Sequence, residues 1–235
     1  MIQNELELFH DTSMDGLSFC RKAYALFNRI SSKPDGRSRL RMRKSVVEKK
    51  LIEELLPIAR YIQFKYTVGR SIRIKWVNGN QTYDAVIQQK GALVKAMQIP
   101  KECHLEATCA LHRHAYLSRE HINNGSPVFG LDGLTRDKKR KTISSVPVVR
   151  RGLDFVHNFS KIVIANIEHK AAKRYPANTV LVVDCSLNTL YTDDEWRELV
   201  ALVSATTESH PFFEIFLCDN VLEQCATIPR APLAA

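Results

Sequence analysis

Two acidic residues interrupt segments that otherwise have the pattern of β-strands. Residues 81–88, QTYDAVIQ, and residues 104–112, HLEATCALH, both alternate between two sets of side chains. This alternation predicts strands with one face in a core. Asp84 lies in the first segment and Glu106 in the second. If the two strands are neighbours, about 4.8 Å apart, both carboxylates project from the same side of the sheet.

Two carboxylates at that separation repel each other unless a cation lies between them. Mg²⁺ (or Mn²⁺) suits such a pair, because a hard divalent ion takes oxygen ligands and keeps several waters. A metal so placed lowers the pKa of a bound water and neutralises charge on a phosphate oxygen, as phosphodiester hydrolysis requires. The alternative is that both acids are solvated on an exposed face, although aspartate is a poor strand former.

Helical periodicity and turn residues predict the elements before these strands. Residues 14–31 form a first helix, and residues 31–45, rich in turn formers and cations, read as a linker. A second helix runs over 45–66, with Ser45 as its N-cap. Pro57 lies inside this helix and predicts a kink or break there.

An Asn-Gly turn and a series of apolar runs predict the remaining elements. Residues 78–80, NGN, lie between two alternating runs and predict a hairpin of 71–77 with 81–88. The later elements are a helix at 116–123, a long polar loop at 125–147, a helix at 150–175, a buried strand at 178–186, a helix at 192–206 and a strand at 212–219.

This order predicts an α/β fold with a mixed central sheet. The first three strands form an antiparallel meander, and the strands joined by long helices add in parallel, with helices on both faces. We divide the chain into an N-terminal helix with a basic linker (1–44), an α/β core (45–220) and a C-terminal tail (221–235).

The segments YDAVI and HLEATCA, in this order of elements, resemble the PD-(D/E)XK nuclease-like (restriction-endonuclease-like) superfamily over roughly residues 45–190. The resemblance implies that Asp84 and Glu106 are catalytic metal ligands. It also implies a Mg²⁺-dependent endonuclease that hydrolyses nucleic-acid phosphodiester bonds. In the superfamily, a lysine two residues after the glutamate orients or activates the attacking water. Thr108 stands at that position here.

A lysine from another element would have to replace the missing one. The candidates are Lys90, Lys95, Lys161 and Lys170. The sequence does not select among them, and we carry Lys170 forward as a catalytic candidate. The superfamily also often has a glutamate on the first core helix. Glu48 and Glu54 flank the apolar stripe of that helix, and we carry Glu54 forward.

The charge of the chain favours a polyanionic partner. The formal net charge is +9 and the sequence pI is near 9.3, so we expect nucleic acid, DNA before RNA, bound through its phosphates. Many nucleases of this kind act as dimers, which makes a homodimer a further expectation. The candidate nucleic-acid-binding residues are Arg39, Arg41, Arg43, Arg136, Lys138, Lys139, Arg140, Lys141, Arg150 and Arg151.

The cysteines and the hydropathy point to a reducing compartment. Six cysteines occur without a C-x-x-C pair, and no signal peptide is evident, so a cytoplasmic protein is expected. No apolar stretch approaches the length of a membrane span. Because Thr108 replaces the usual lysine, a second function remains open: a catalytically inactive nucleic-acid-binding or protein-interaction module of the same fold.

Overall fold

The structure is a computed structural model that describes residues 4–149, 152–185, 192–207, 210–219 and 223–230. Its main sheet has seven strands among these residues, in the order β1-β2-β3-β4-β7-β8-β9. These strands are β1 (Ser13–Asp15), β2 (Arg70–Trp76), β3 (Ala85–Gly91), β4 (Glu102–Cys109), β7 (Thr179–Asp184), β8 (Glu214–Cys218) and β9 (Cys225–Pro229). Two further strands, β5 (Leu134–Asp137) and β6 (Thr142–Ser145), form a separate hairpin.

Helices cover both faces of the sheet. In chain order they are α1 (Asn4–Glu7), α2 (Gly16–Ser31), α3 (Gly36–Met42), α4 (Val46–Lys50), α5 (Leu56–Lys65), α6 (Ala92–Lys95), α7 (Ala115–Asn123), α8 (Gly152–Ala171) and α9 (Asp193–Thr206). α2 and α5 pack on one face and α8 and α9 on the other. Every residue of β7 is buried as a result, which matches its unbroken apolar sequence.

The predicted mixed sheet is confirmed. Strands β2, β3 and β4 form an antiparallel meander, and β7 and β8 add to β4 in parallel. Strands β1 and β9 were not predicted, and both pair antiparallel at the edges of the sheet. The sheet therefore changes from antiparallel to parallel at β4, the strand that carries Glu106.

The three predicted segments of the chain contribute to one sheet. Phe19 of α2, from segment 1–44, lies in the same buried cluster as Ile72 of β2. Strand β9 lies in the segment 221–235, predicted as a tail, and pairs with β8. The linker predicted at 31–45 is wrong, because Gly36–Met42 is helical and buries Leu40. The loop predicted at 125–147 is likewise wrong, since it contains the β5–β6 hairpin.

The helix predicted at 45–66 is interrupted before Pro57. Ser45 and Glu48 form a capping box at its start, as predicted. A π-helical turn at Leu51–Leu55 then separates α4 from α5. Pro57 has no N–H to donate to a preceding carbonyl, and its ring would clash with an unbroken α-helical turn. The N–H of Leu56 bonds instead to the carbonyl of Leu51, five residues earlier.

Candidate active site

Asp84 directly precedes β3 and lies beside the part of β4 that carries Glu106. Ala85 pairs with Leu105 in the antiparallel register, and the N–H of Asp84 donates to the carbonyl of Leu105 at 2.8 Å. The carboxylate of Asp84 accepts from the amide of Ala107 through Oδ2 at 2.8 Å. Asp84 was predicted within a strand but precedes β3 by one residue. Its side chain can therefore turn back onto the backbone of β4.

Glu106 is buried on the face of the sheet that α8 covers. It is 8% exposed, whereas its neighbours Leu105 and Ala107 belong to the core on the opposite face. The alternation of residues 104–112 thus assigned its face correctly. Because a helix covers this face, Glu106 does not stand in bulk solvent.

Lys170 of α8 reaches Glu106 and forms an ion pair with it through Oε1. One helical turn earlier, Asn166 accepts a hydrogen bond from the hydroxyl of Thr108 at 3.4 Å. The pairs Glu106–Lys170 and Thr108–Asn166 together dock α8 along β4. Burial raises the pKa of Glu106, while the hydrogen bond and charge of Lys170 and the charge of Lys173 lower it. Thr108, which stands where the superfamily has a lysine, therefore helps to position α8, the helix that carries Lys170.

Among Glu48, Glu53 and Glu54, only Glu54 has a charge that raises the pKa of Asp84. It accepts from Lys50 at 3.0 Å within the segment of the π-helical turn. Its two alternatives on the same helices are engaged elsewhere. Glu48 caps α4 and pairs with Arg39, and Glu53 pairs with Arg43 at 3.2 Å.

The surroundings of Asp84 oppose its ionisation. Its pKa is raised from 3.8 to about 7, first by burial and then by the charges of Glu54 and Glu106. The amide of Ala107 and the charge of Lys170 act against this shift but are outweighed. Carboxylates that raise one another's pKa in a partly enclosed place are a feature of functional sites, although structural networks show it too.

The two carboxylates offer oxygens suited to a hard cation. Asp84 accepts through Oδ2 and Glu106 through Oε1. Within the described segments, the other oxygen of each carboxylate, Asp84 Oδ1 and Glu106 Oε2, accepts no hydrogen bond. The described residues contain no group of three or more His, Cys, Asp and Glu side chains arranged to hold a metal. An ion here would have two carboxylate ligands and complete its shell with water and substrate oxygens, as Mg²⁺ commonly does.

Sequence reasoning missed Tyr175 at this site. The charges of Glu106 and Asp84, after burial, raise the pKa of its phenol. Its hydroxyl oxygen is buried without a hydrogen-bond partner among the described residues. One signal was available: an aromatic hydroxyl comes directly before Pro176, which ends the helix segment that carries Lys170.

The predicted nucleic-acid-binding residues that the structure describes divide into five arginines with a side-chain partner and three exposed lysines. Arg39, Arg43 and Arg136 form ion pairs with Glu48, Glu53 and Glu120, and Arg41 donates to Asn123 at 3.4 Å. Arg140 lies 3.8 Å from Asp137. Arg150 and Arg151 lie outside the described residues. The exposed lysines are Lys138, Lys139 and Lys141, all at the turn between β5 and β6.

Comparison of the chain with protein-family models, with curated proteins and with solved structures gave no match. In the part of the chain that the structure describes, no helix combines the length and apolar character needed to cross a membrane.

Proposed function

We propose that the protein is a metal-dependent nuclease that hydrolyses phosphodiester bonds of nucleic acid, DNA before RNA. The ion pair of Lys170 with Glu106, beside Asp84, carries this proposal. Through this ion pair the ammonium group of Lys170 lies beside Glu106, although Thr108 stands at the position where the superfamily has its lysine. The charges of Glu54 and Glu106 oppose the ionisation of Asp84 and so weaken the fold, and a catalytic role explains why these acids are gathered there.

Asp84 and Glu106 are the proposed ligands of Mg²⁺ or Mn²⁺. Their unengaged oxygens and the charge of Glu54 make the site attractive to a cation. When bound, such an ion activates a water and neutralises charge on a phosphate oxygen. Asp84 must first lose its proton, which its raised pKa delays until near neutral pH.

Lys170 and Glu54 are proposed to act around the ligand pair. An ammonium group donates up to three hydrogen bonds, and Glu106 takes one of those of Lys170. The others are free to orient the attacking water or to stabilise charge on a phosphate oxygen. Glu54 adds a further acceptor for water molecules at the edge of the site.

The restriction-endonuclease-like assignment belongs to the same proposal. It is supported by a mixed sheet whose antiparallel strands carry both acids and whose covering helix supplies the lysine. The exposed lysines at the β5–β6 turn support contact with phosphates. A homodimer, in which each copy cuts one strand of a duplex, is proposed with it.

A cleavage assay tests this function. The purified protein is incubated with labelled single-stranded and duplex DNA and RNA, in Mg²⁺, in Mn²⁺ and in EDTA. We expect cleavage that requires the metal and falls at least about 100-fold in Asp84→Asn, Glu106→Gln and Lys170→Met. Lys161→Met is the matched control, because Lys161 is exposed on the same helix, away from the carboxylates.

Two outcomes would count against the proposal. Cleavage unchanged in both carboxylate variants would assign the activity to something other than this site. Binding of nucleic acid without cleavage under every metal condition would favour the alternative, a catalytically inactive binding module of the same fold.

A further inference from the structure

Tyr175 has a buried hydroxyl that no described group satisfies. The oxygen is buried and forms no hydrogen bond in the described part of the chain. Its ring packs against Phe212 with centroids 5.3 Å apart, and this contact limits the directions in which the hydroxyl can point. A buried hydroxyl without a partner destabilises the fold, so its presence here calls for an explanation.

The hydroxyl lies within the electrostatic field of the proposed ligand pair. Tyr175 follows Lys170 by five residues, just beyond the end of α8. The chain then returns to the sheet, where Asn178 accepts a hydrogen bond from the N–H of His104 at 3.2 Å. Tyr175 thus lies on the connection between α8, which carries Lys170, and β7, which pairs in parallel with β4.

Both nearby carboxylates are already engaged through one oxygen each. Glu106 accepts from Lys170 and Asp84 from Ala107, and neither accepts from the phenol. A donor that interacts electrostatically with both carboxylates but bonds to neither is available to a group bound at the same site. Because burial, and then the charges of Glu106 and Asp84, keep the pKa of Tyr175 above its usual value, the phenol retains its proton at neutral pH and acts as a donor.

We propose that the Tyr175 hydroxyl donates a hydrogen bond to a non-bridging oxygen of the phosphate group held at Asp84 and Glu106. Tyr175 is then a catalytic residue that touches the substrate. This inference rests on the proposed function and names the group that the site recognises: a phosphodiester or a free phosphate bound with a divalent ion. A donor that meets developing charge on phosphate acts on kcat more than on KM.

Tyr175→Phe tests the inference, because it removes only the hydroxyl. We expect kcat for cleavage to fall 10- to 100-fold with KM changed less than threefold, while Mn²⁺ affinity stays within twofold of wild type. The melting temperature should be equal or higher, since the variant loses an unsatisfied buried group. Tyr83→Phe is the control, because Tyr83 also packs near β4, on His104, and should retain wild-type kcat.

A second readout does not depend on activity. The Cζ carbon of Tyr175 is followed by NMR in protein labelled with ¹³C-tyrosine, its signal assigned by its loss in Tyr175→Phe. Addition of Mg²⁺ followed by inorganic phosphate should shift this signal at the phosphate step in wild type but not in Asp84→Asn. A shift confined to that step would support the inference.

The outcomes separate this inference from the proposed function. Mg²⁺-dependent cleavage together with wild-type kcat in Tyr175→Phe, and no phosphate-dependent shift, would overturn the role of Tyr175 and leave the nuclease intact. Failure of Mg²⁺ to bind at Asp84 would overturn both. A lower melting temperature in Tyr175→Phe with unchanged kcat would show that the hydroxyl serves the fold.

Discussion

Asp84 links the stability of this protein to its proposed chemistry. Its side chain is partly buried, lies under the charges of two other acids and receives one backbone N–H. In the absence of a cation, the folded state holds the proton of Asp84 more tightly than the unfolded chain does. A bound divalent ion would reverse this preference, because metal ligation requires the deprotonated form.

The pH dependence of unfolding should show this coupling. The folded pKa of Asp84 is about 7, above its usual 3.8, so the folded state binds more protons between these values and stability falls as pH rises through them. We expect the wild type to lose on the order of 2–4 kcal/mol relative to Asp84→Asn across this range. Urea unfolding of both proteins from pH 4 to pH 8 measures the difference.

The same titration includes a metal control. Above pH 7, 10 mM Mg²⁺ should restore part of the lost stability in wild type and none in Asp84→Asn. Parallel stability curves for the two proteins would mean that Asp84 ionises normally, which removes the physical basis for a strained carboxylate pair.

The π-helical turn at Leu51–Leu55 carries two adjacent glutamates, Glu53 and Glu54, whose side chains have different partners. Glu54 accepts a hydrogen bond from Lys50, and its charge raises the pKa of Asp84. Glu53 instead accepts hydrogen bonds from Arg43 and Tyr116. Adjacent helical residues lie about 100° apart around the axis, so Glu53 and Glu54 serve different surfaces. π-Bulges are frequent at functional sites.

Glu54→Gln should therefore lower the pKa of Asp84. The substitution removes the larger of the two carboxylate charges that raise this pKa, and the expected shift is about one unit. NMR titration of the Asp84 side-chain carbonyl measures it. Glu53→Gln is the control in the same turn. An equal shift in the control, or none in Glu54→Gln, would show that the turn does not select Glu54.

Across the described part of the molecule, exposed cations occur on many surfaces, and the β5–β6 turn holds a run of them that are consecutive or nearly so in sequence. The β5–β6 turn carries three exposed lysines, and the hairpin base is attached to the body through Leu134, which is buried, and Arg136, which pairs with Glu120. A charged turn on an anchored hairpin is suited to contact phosphates without reading bases.

Replacing Lys138, Lys139 and Lys141 with alanine should weaken binding equally across DNA sequences. Each lost phosphate contact reduces the slope of log K against log salt by about 0.9, so three contacts change it by about 3 units. Fluorescence anisotropy of labelled duplex DNA in EDTA measures binding separately from cleavage. The control replaces Lys22, Lys95 and Lys101, three lysines exposed on other surfaces. A salt slope unchanged in the hairpin variant would exclude this surface.

Local patterns predicted the pairing of the acids but not the groups around them. Alternation assigned the face of Glu106, and the predicted antiparallel meander placed the strand after Asp84 beside β4. Lys170 was one of four candidates, because its selection depends on how α8 crosses β4. That crossing depends on tertiary contacts such as Thr108 with Asn166, which no local periodicity encodes.

The errors in the prediction have a shared physical cause. Residues 36–42 were assigned to a linker because arginines dominate them, yet Leu40 is buried there and Arg39 neutralises the buried Glu48. The basic run at 136–141 similarly concealed a turn between two short strands. Charge density was interpreted as solvent exposure, whereas several of these cations compensate acids within the fold.

Calorimetric titration with Mn²⁺ at pH 7.5 tests the central claim most directly. We expect wild type to bind one ion. Asp84→Asn and Glu106→Gln should each bind Mn²⁺ at least tenfold more weakly. Asp137→Asn is the control with unchanged affinity, because Asp137 lies in the β5–β6 hairpin. Equal Mn²⁺ affinity in wild type and both site variants would contradict the claim, since the two carboxylates would then not share a cation.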